Sequence, residues 1–186
     1  MKFDEVIEKR HSVRKFSRKK PSWKDISLAI NAARLAPLAG NIPNLKFVVV
    51  SDEKIISKLA DAANQDWIKQ AFYVVVACSE DEKLVLSYGE RGKMYARQQT
   101  GSALENLWLK LEDLGLATCW VGAFYETDIK SALRLPENIQ VEAMFPIGYE
   151  GAKIKGKQKP KPELSSLVFW EKWGNNYLIL PQKQEV

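Results

Sequence analysis

Four stretches of this chain hold residue types that could bind or transform a ligand. Arg10-His11-Ser12-Val13-Arg14 sets two guanidinium groups four residues apart around an imidazole and a hydroxyl. Arginine forks match phosphate oxygens, although a short basic run also suits a solvated face. Pro37-Leu38-Ala39-Gly40-Asn41-Ile42-Pro43-Asn44 is a punctuated loop. It could offer backbone groups and the Asn41 amide to a planar heterocycle, or simply join a helix to a strand. Cys119-Trp120-Val121-Gly122-Ala123-Phe124 brings small residues to an expected strand end, where a flat ligand can approach the backbone. A buried, aromatic-rich strand is the plainer reading. Last, Lys153, Lys155, Lys157, Lys159 and Lys161 are interspersed with Gly156, Pro160 and Pro162. Such an extended basic arm suits a solvated tail, a nucleic-acid patch or a phosphate clamp.

Other chemistries are excluded by count or spacing. His11 is the sole histidine, which removes HExxH zinc chemistry and multi-His metal sites. Cys78 and Cys119 form no CxxC and no disulfide framework. The glycine pairs Gly89/Gly92 and Gly148/Gly151 lack the third member of a dinucleotide fingerprint. A P-loop and a Gly-x-Ser-x-Gly elbow are also missing. Any redox or transfer chemistry would then belong to a bound cofactor, so no catalytic side chain and no metal is expected. No apolar run approaches the ~20 residues of a membrane span, and Met1-Lys2-Phe3-Asp4-Glu5 does not open a signal peptide. A cytoplasmic protein with no membrane partner is expected. The net charge of +5 suits an anionic ligand, and its basic residues crowd 9–20 and 153–161.

These stretches need elements to hold them, and 186 residues allow one domain with a real core. Phe3, Val6, Ile7 and Arg10 fall at helical spacing, and Pro21-Ser22 opens a second helix with Asp25 in a capping-box arrangement. Strands are expected over Leu45–Ser51, Phe72–Cys78, Leu116–Phe124 and Val141–Tyr149. A helix is expected over Ile55–Gln70, and a loop or short helix over Glu80–Lys93. The longest helix is placed over Met94–Leu114, with Leu104, Leu107, Trp108 and Leu111 buried and Gly115 as its cap. Asp128–Leu133 reads as a short helix. After Gly151 the arm leads into an aromatic tail with Phe169, Trp170, Trp173 and Tyr177, whose apolar area must cover this core or a partner's.

In this order and spacing the chain resembles the nitroreductase-like flavin oxidoreductases that bind FMN. The resemblance rests on Arg10-His11-Ser12-Val13-Arg14, Ala36-Pro37 with Gly40-Asn41 before Phe47-Val48-Val49-Val50, and Gly115 to Phe124. Pro146-Ile147-Gly148-Tyr149 and Lys159-Pro160-Lys161-Pro162 complete it. It implies an α+β fold: a central, mainly antiparallel sheet flanked by helices, one FMN-binding domain over 1–186, and an arm and tail (151–186) exchanged in a homodimer. It further implies that Arg10, Lys159 and Lys161 hold the FMN phosphate. His11 belongs to the same segment, Ser12 and Arg14 meet the ribityl and pyrimidine side, and Asn64 meets the pyrimidine edge. Pro37, Leu38, Ala39 and Asn41 come from the other subunit, and Val121, Gly122 and Ala123 present backbone to the flavin. Leu38 stands where serine is common in the family.

The implied activity is ping-pong reduction of a small-molecule acceptor, such as a nitroaromatic or quinone, with NAD(P)H as reductant. Tyr88, Tyr95, Trp67 and Phe124 are candidate pocket walls. Two alternatives stand beside it: a basic nucleic-acid-binding module, and a family member using flavin for another reaction such as dehalogenation or ring fragmentation. The first reading expects no nucleic-acid partner.

Overall fold

A computed structural model describes residues 1–152 and 161–175. The chain divides into two compact units, Met1–Lys153 and Ile154–Val186.

The first unit is built on a four-stranded sheet in the order β1-β2-β4-β3, with every pair antiparallel. The strands are β1 (Leu45–Val50), β2 (Tyr73–Ser79), β3 (Ala117–Thr118) and β4 (Gln140–Gly148). The helices are α1 (Phe3–Lys9), α2 (Trp23–Ala33), α3 (Glu53–Ala62), α4 (Glu82–Tyr88), α5 (Glu90–Asp113) and α6 (Glu126–Leu133). Helices α2 and α5 cover one face of the sheet, where Val75, Ala77, Ala143, Phe145 and Ile147 meet Ile26, Leu104, Leu107 and Leu111. Helices α3 and α6 cover the other, where Val74, Val76, Cys78, Val141 and Met144 meet Ile56, Leu59 and Ile129. Strands buried on both faces read as continuous apolar runs, as Val74-Val75-Val76-Ala77-Cys78 does. The expected α+β class with a mainly antiparallel sheet is the observed one.

Local chemistry sets the element ends. The Asp52 carboxylate accepts the Lys54 and Ile55 N–H groups at the start of α3, a standard use of an N-cap acid. Ser22 caps α2 by accepting from Lys24 N–H. At the end of α5, Gly115 takes φ +72. Its N–H donates to the Glu112 carbonyl, and Leu116 N–H donates to Leu111. That bond pair is a Schellman cap.

Three expectations are corrected. The helix expected over Ile55–Gln70 ends at Ala62. Asn64 adopts φ +52, and a separate 3₁₀ turn follows over Asp66–Gln70. The stretch Glu80–Lys93 holds the short helix α4, as one of its two expected forms, but the long helix starts at Glu90, four residues before the expected Met94, divided from α4 by Gly89 at φ +58. The third strand is not continuous to Phe124. It pairs at Ala117 and Thr118, and again only at the Val121–Met144 bridge. In this register Cys119 falls opposite Pro146, which has no N–H to give the ladder. The Pro146 carbonyl takes the Thr118 hydroxyl instead, at 2.8 Å.

In the second unit, a 3₁₀ turn spans Leu164–Ser166, Trp170 and Asn175 exchange hydrogen bonds, and the Phe169 and Trp173 rings lie 4.8 Å apart. The lysine arm before Lys161, and the tail from 176 onward, lie outside the described residues.

Candidate functional site

The segment after α1 is fixed by strand-like pairing rather than by helix. Arg10 leaves the helix with ψ 121. Val13 N–H then donates to the Thr118 carbonyl at 2.9 Å, Phe16 bridges Glu150, and Gly151 N–H donates to Lys15 at 2.8 Å. Val13 and Phe16 are buried while Ser12, Arg14 and Lys15 are exposed. The Phe16 ring lies over Gly148, where a Cβ would come within 2.8 Å of it. A side chain at this position would have to displace the Phe16 ring.

Two other segments meet this one. Trp67 packs its ring 6.2 Å from Phe16 and shares its small core with Val13, Ala71 and Ala117. Asn64 stands just before it, exposed at the left-handed turn that ends α3. Tyr125 N–H donates to the Ala62 carbonyl at 2.8 Å, so the chain after Phe124 lies against the same helix end. Val121 is tied to Met144, and Gly122 and Ala123 emerge exposed between these anchors. Among the described residues, the Ser12 hydroxyl, the Arg14 guanidinium, the Asn64 amide and the Gly122 and Ala123 N–H groups have no hydrogen-bond or ion-pair partner. They are accessible donors on segments that adjoin one another beside β3: Val13 on Thr118, Phe16 on Trp67, and Tyr125 on Ala62. A ligand rich in carbonyl and ring-nitrogen acceptors, as a flavin is, fits such a set.

The neighbouring groups are engaged. Arg10 Nε lies 3.4 Å from a Glu105 carboxylate oxygen, and its guanidinium stacks 4.4 Å above the Trp108 ring. His11 Nδ1 lies 2.8 Å from the Lys9 carbonyl and Nε2 lies 3.2 Å from Glu150. The Lys9 carbonyl, followed by Glu150, holds the imidazole pKa above its usual value, against the opposing effect of burial. Burial pushes the nearby Glu112 carboxyl upward as well.

The Pro37–Asn44 loop attaches at another level. Pro37, Gly40 and Asn41 are exposed, Leu38 and Ala39 half-buried, and Gly40 and Asn41 both take φ +57. Ala39 N–H donates to Gln99 Oε1 at 3.0 Å. Gln99 lies six residues before Glu105 on α5, about 9 Å of helix away. Among the described residues no hydrogen bond, ion pair or ring contact joins this loop to Arg10–Arg14. Tyr88 reaches Gly40 and pairs edge-on with Tyr95 at 5.2 Å. Of the proposed pocket walls, Tyr88 and Tyr95 therefore accompany the loop. Trp67 accompanies Phe16, and Phe124 packs toward α3 and α6. Lys161 is exposed in the second unit, and Lys159 lies outside the described residues.

One group of residues was not anticipated. Gln99 Nε2 donates to the Ile42 carbonyl at 3.1 Å and to Asn44 Oδ1. Asn44 Nδ2 donates to Asp81 at 3.1 Å. Asp81 pairs with Arg97, which also pairs with Glu142. Gln99, Asn44 and Asp81 are all buried. A signal existed: Gln99 occupies the apolar stripe of α5 between Ala96 and Ala103, where a polar residue needs a partner.

Comparison with known proteins shows which family the chain resembles. The family model described as "Nitroreductase family" matches residues 7–84 and 63–149. An Archaeoglobus fulgidus protein, whose name gives it as an NADH dehydrogenase/NAD(P)H nitroreductase, is 31% identical over 149 residues, covering 77% of this chain and 83% of its own. The crystal structure of a nitroreductase family protein from Clostridium difficile 630 superimposes with a TM-score of 0.81 at 29% identity, covering 92% of this chain and 99% of that one. An iodotyrosine deiodinase from Thermotoga neapolitana is 24% identical over 161 residues, covering 78% of this chain and 87% of that protein.

Proposed function

From the premise that this chain belongs to the nitroreductase family, we propose that it is an FMN-dependent oxidoreductase working as a cytoplasmic homodimer. Bound FMN would supply the redox chemistry, accepting a hydride from NAD(P)H and delivering electrons to a nitroaromatic, quinone or similar acceptor in ping-pong order. The supporting observation is the set of accessible donors at Ser12, Arg14, Asn64, Gly122 and Ala123 that have no partner among the described residues.

In this reading Arg14 places a permanent positive charge beside the pyrimidine edge, which favours negative charge there. Ser12 and Asn64 orient the ring by hydrogen bonds, and Val121, Gly122 and Ala123 offer backbone. Arg10, Lys159 and Lys161 bind phosphate, with His11 fixing the segment that carries Arg10. Pro37, Leu38, Ala39 and Asn41 reach the flavin of the facing subunit, and the 151–186 arm and tail belong to the same domain and embrace the partner.

The test is an FMN titration of the purified protein followed by initial-rate kinetics with NADH, NADPH and a panel of acceptors. A bound flavin spectrum and parallel double-reciprocal lines are expected. Absence of any spectral change overturns the proposal. Replacing both Lys159 and Lys161 with Ala should weaken FMN affinity while the fold stays intact, and truncation after Pro162 should leave a monomer by light scattering.

A second reading is reductive dehalogenation, favoured by the deiodinase relative. Halide release from a halogenated phenol under reducing conditions, exceeding turnover of nitroaromatics, would select it.

A further inference from the structure

We propose that Gln99 is the positioning residue for the Pro37–Asn44 loop, its orientation dictated by the Arg97–Asp81 ion pair. The proposal rests on the reading that this loop contacts flavin, and it adds residues outside the expected flavin set.

The reasoning runs through donor and acceptor capacity. Arg97 can only donate, so the Asp81 oxygen that meets it is an acceptor, and the acid's other oxygen faces Asn44. Asn44 must therefore turn its NH₂ toward Asp81, as it does at 3.1 Å. Its Oδ1 is left facing Gln99, which must answer with its own NH₂. The same NH₂ also reaches the Ile42 carbonyl. Only Gln99 Oε1 then remains, and it accepts Ala39 N–H at 3.0 Å. Reversing either amide would oppose two acceptors or two donors in a buried place, so one orientation satisfies every group.

The consequence is mechanical. One side chain of α5 holds both ends of the 39–42 turn, where Gly40 and Asn41 are in the left-handed region. The turn carries Ala39 and Asn41 and starts directly after Leu38, three of the residues expected at the flavin. Gln99 touches none of the ligand and acts through the loop.

The experiment compares wild type, Gln99→Leu and Gln99→Glu in the full chain. Hydrogen exchange at the 38–42 amides is read without ligand, and FMN affinity is titrated at pH 8 and pH 5.5. Gln99→Leu should lose amide protection at Ala39 and weaken FMN binding about tenfold or more at both pH values. Gln99→Glu keeps the acceptor for Ala39 but, when ionised, sets a carboxylate against Ile42 O and Asn44 Oδ1. Its FMN affinity should be low at pH 8 and rise toward wild type as the pH is lowered to 5.5, because burial at this place and the two facing acceptors raise the new carboxyl's pKa and favour its protonated, donating form. Asp81, Arg97 and Glu142 face the same place in wild type, so each affinity is expressed as the ratio of variant to wild type at the same pH. A merely structural role predicts no such recovery. Unchanged amide exchange and FMN affinity in Gln99→Leu overturn the proposal. If Gln99→Leu does not fold, a ratio for Gln99→Glu that is flat in pH overturns it instead. Wild-type protein that takes up no FMN sinks the function proposed above, and the exchange at Ala39 then decides alone whether Gln99 holds the loop.

Discussion

The Tyr88 hydroxyl occupies the space where a side chain on Gly40 would begin, 2.3 Å from the position a Cβ would take. Gly40 also sits at φ +57, so an alanine there is strained on two counts. Tyr88 is partly exposed and can swing aside, which leaves the backbone cost of roughly 1 kcal/mol. Gly92 is a contrasting case. A Cβ there would meet the Leu84 carbonyl of α4 at 2.3 Å, and that atom is backbone. Gly92→Ala should therefore lower the melting temperature well beyond the roughly 2–4 °C expected for Gly40→Ala. Thermal unfolding of the two variants checks the order.

Glu105 competes for a group that the proposed function assigns to phosphate. Its carboxylate is 3.4 Å from Arg10 Nε and half-exposed, so the pair is worth no more than about 1 kcal/mol. Glu105→Gln should tighten FMN binding by roughly two- to fivefold and leave the Trp108 stacking of Arg10 in place. Flavin titration at low salt reads the change, and an unaltered affinity would place the phosphate away from Arg10.

His11 makes the attachment of the first segment sensitive to pH. Its folded pKa lies above the usual 6.5 because of the Lys9 carbonyl first and then the Glu150 carboxylate. Stability from this group is therefore full below pH 6.5 and is lost as pH rises through the raised folded value. Glu112, pushed up by burial, contributes with the same sign at lower pH. The wild type should lose stability relative to His11→Gln between pH 6 and 8. The imidazole is mostly exposed, so the difference will be small, and paired melts in a buffer series measure it.

Thr100 carries a buried hydroxyl with no hydrogen-bond partner among the described residues. Valine has nearly the same shape and no polar atom to satisfy. Thr100→Val should raise stability by about 1 kcal/mol, or roughly 2–4 °C in melting temperature. A loss instead would show that the hydroxyl is paired in the assembled protein.

What could be read from the sequence was short in range or periodic. Gly115 ending α5, and Leu104, Leu107 and Leu111 facing the core, depend on neighbours within two turns. The start of α5 escaped because Glu90 to Lys93 is polar around Gly92, a residue whose role is a close helix crossing rather than a break. The interruption of the third strand at Cys119 is set by Pro146, far along the chain and visible only once the register is known. Ser12, Arg14, Asn64, Gly122 and Ala123 were singled out by resemblance, and the fold brings them to neighbouring segments. Gln99, Asn44 and Asp81 were not, because a through-space amide relay has no spacing signature.

Val13 bonds to Thr118, and Lys15 and Ser17 bond to Gly151 and Tyr149. These bonds span more than a hundred residues, so the strand-like pairing of the segment bearing Arg14 cannot form until most of the polypeptide has been made. During synthesis the early basic stretch waits solvated while β1 and β2 can already pair. The end of the sheet beside Arg14 is therefore the last part to be assembled, and a nascent chain stalled before residue 149 would have a partial sheet with that end still open.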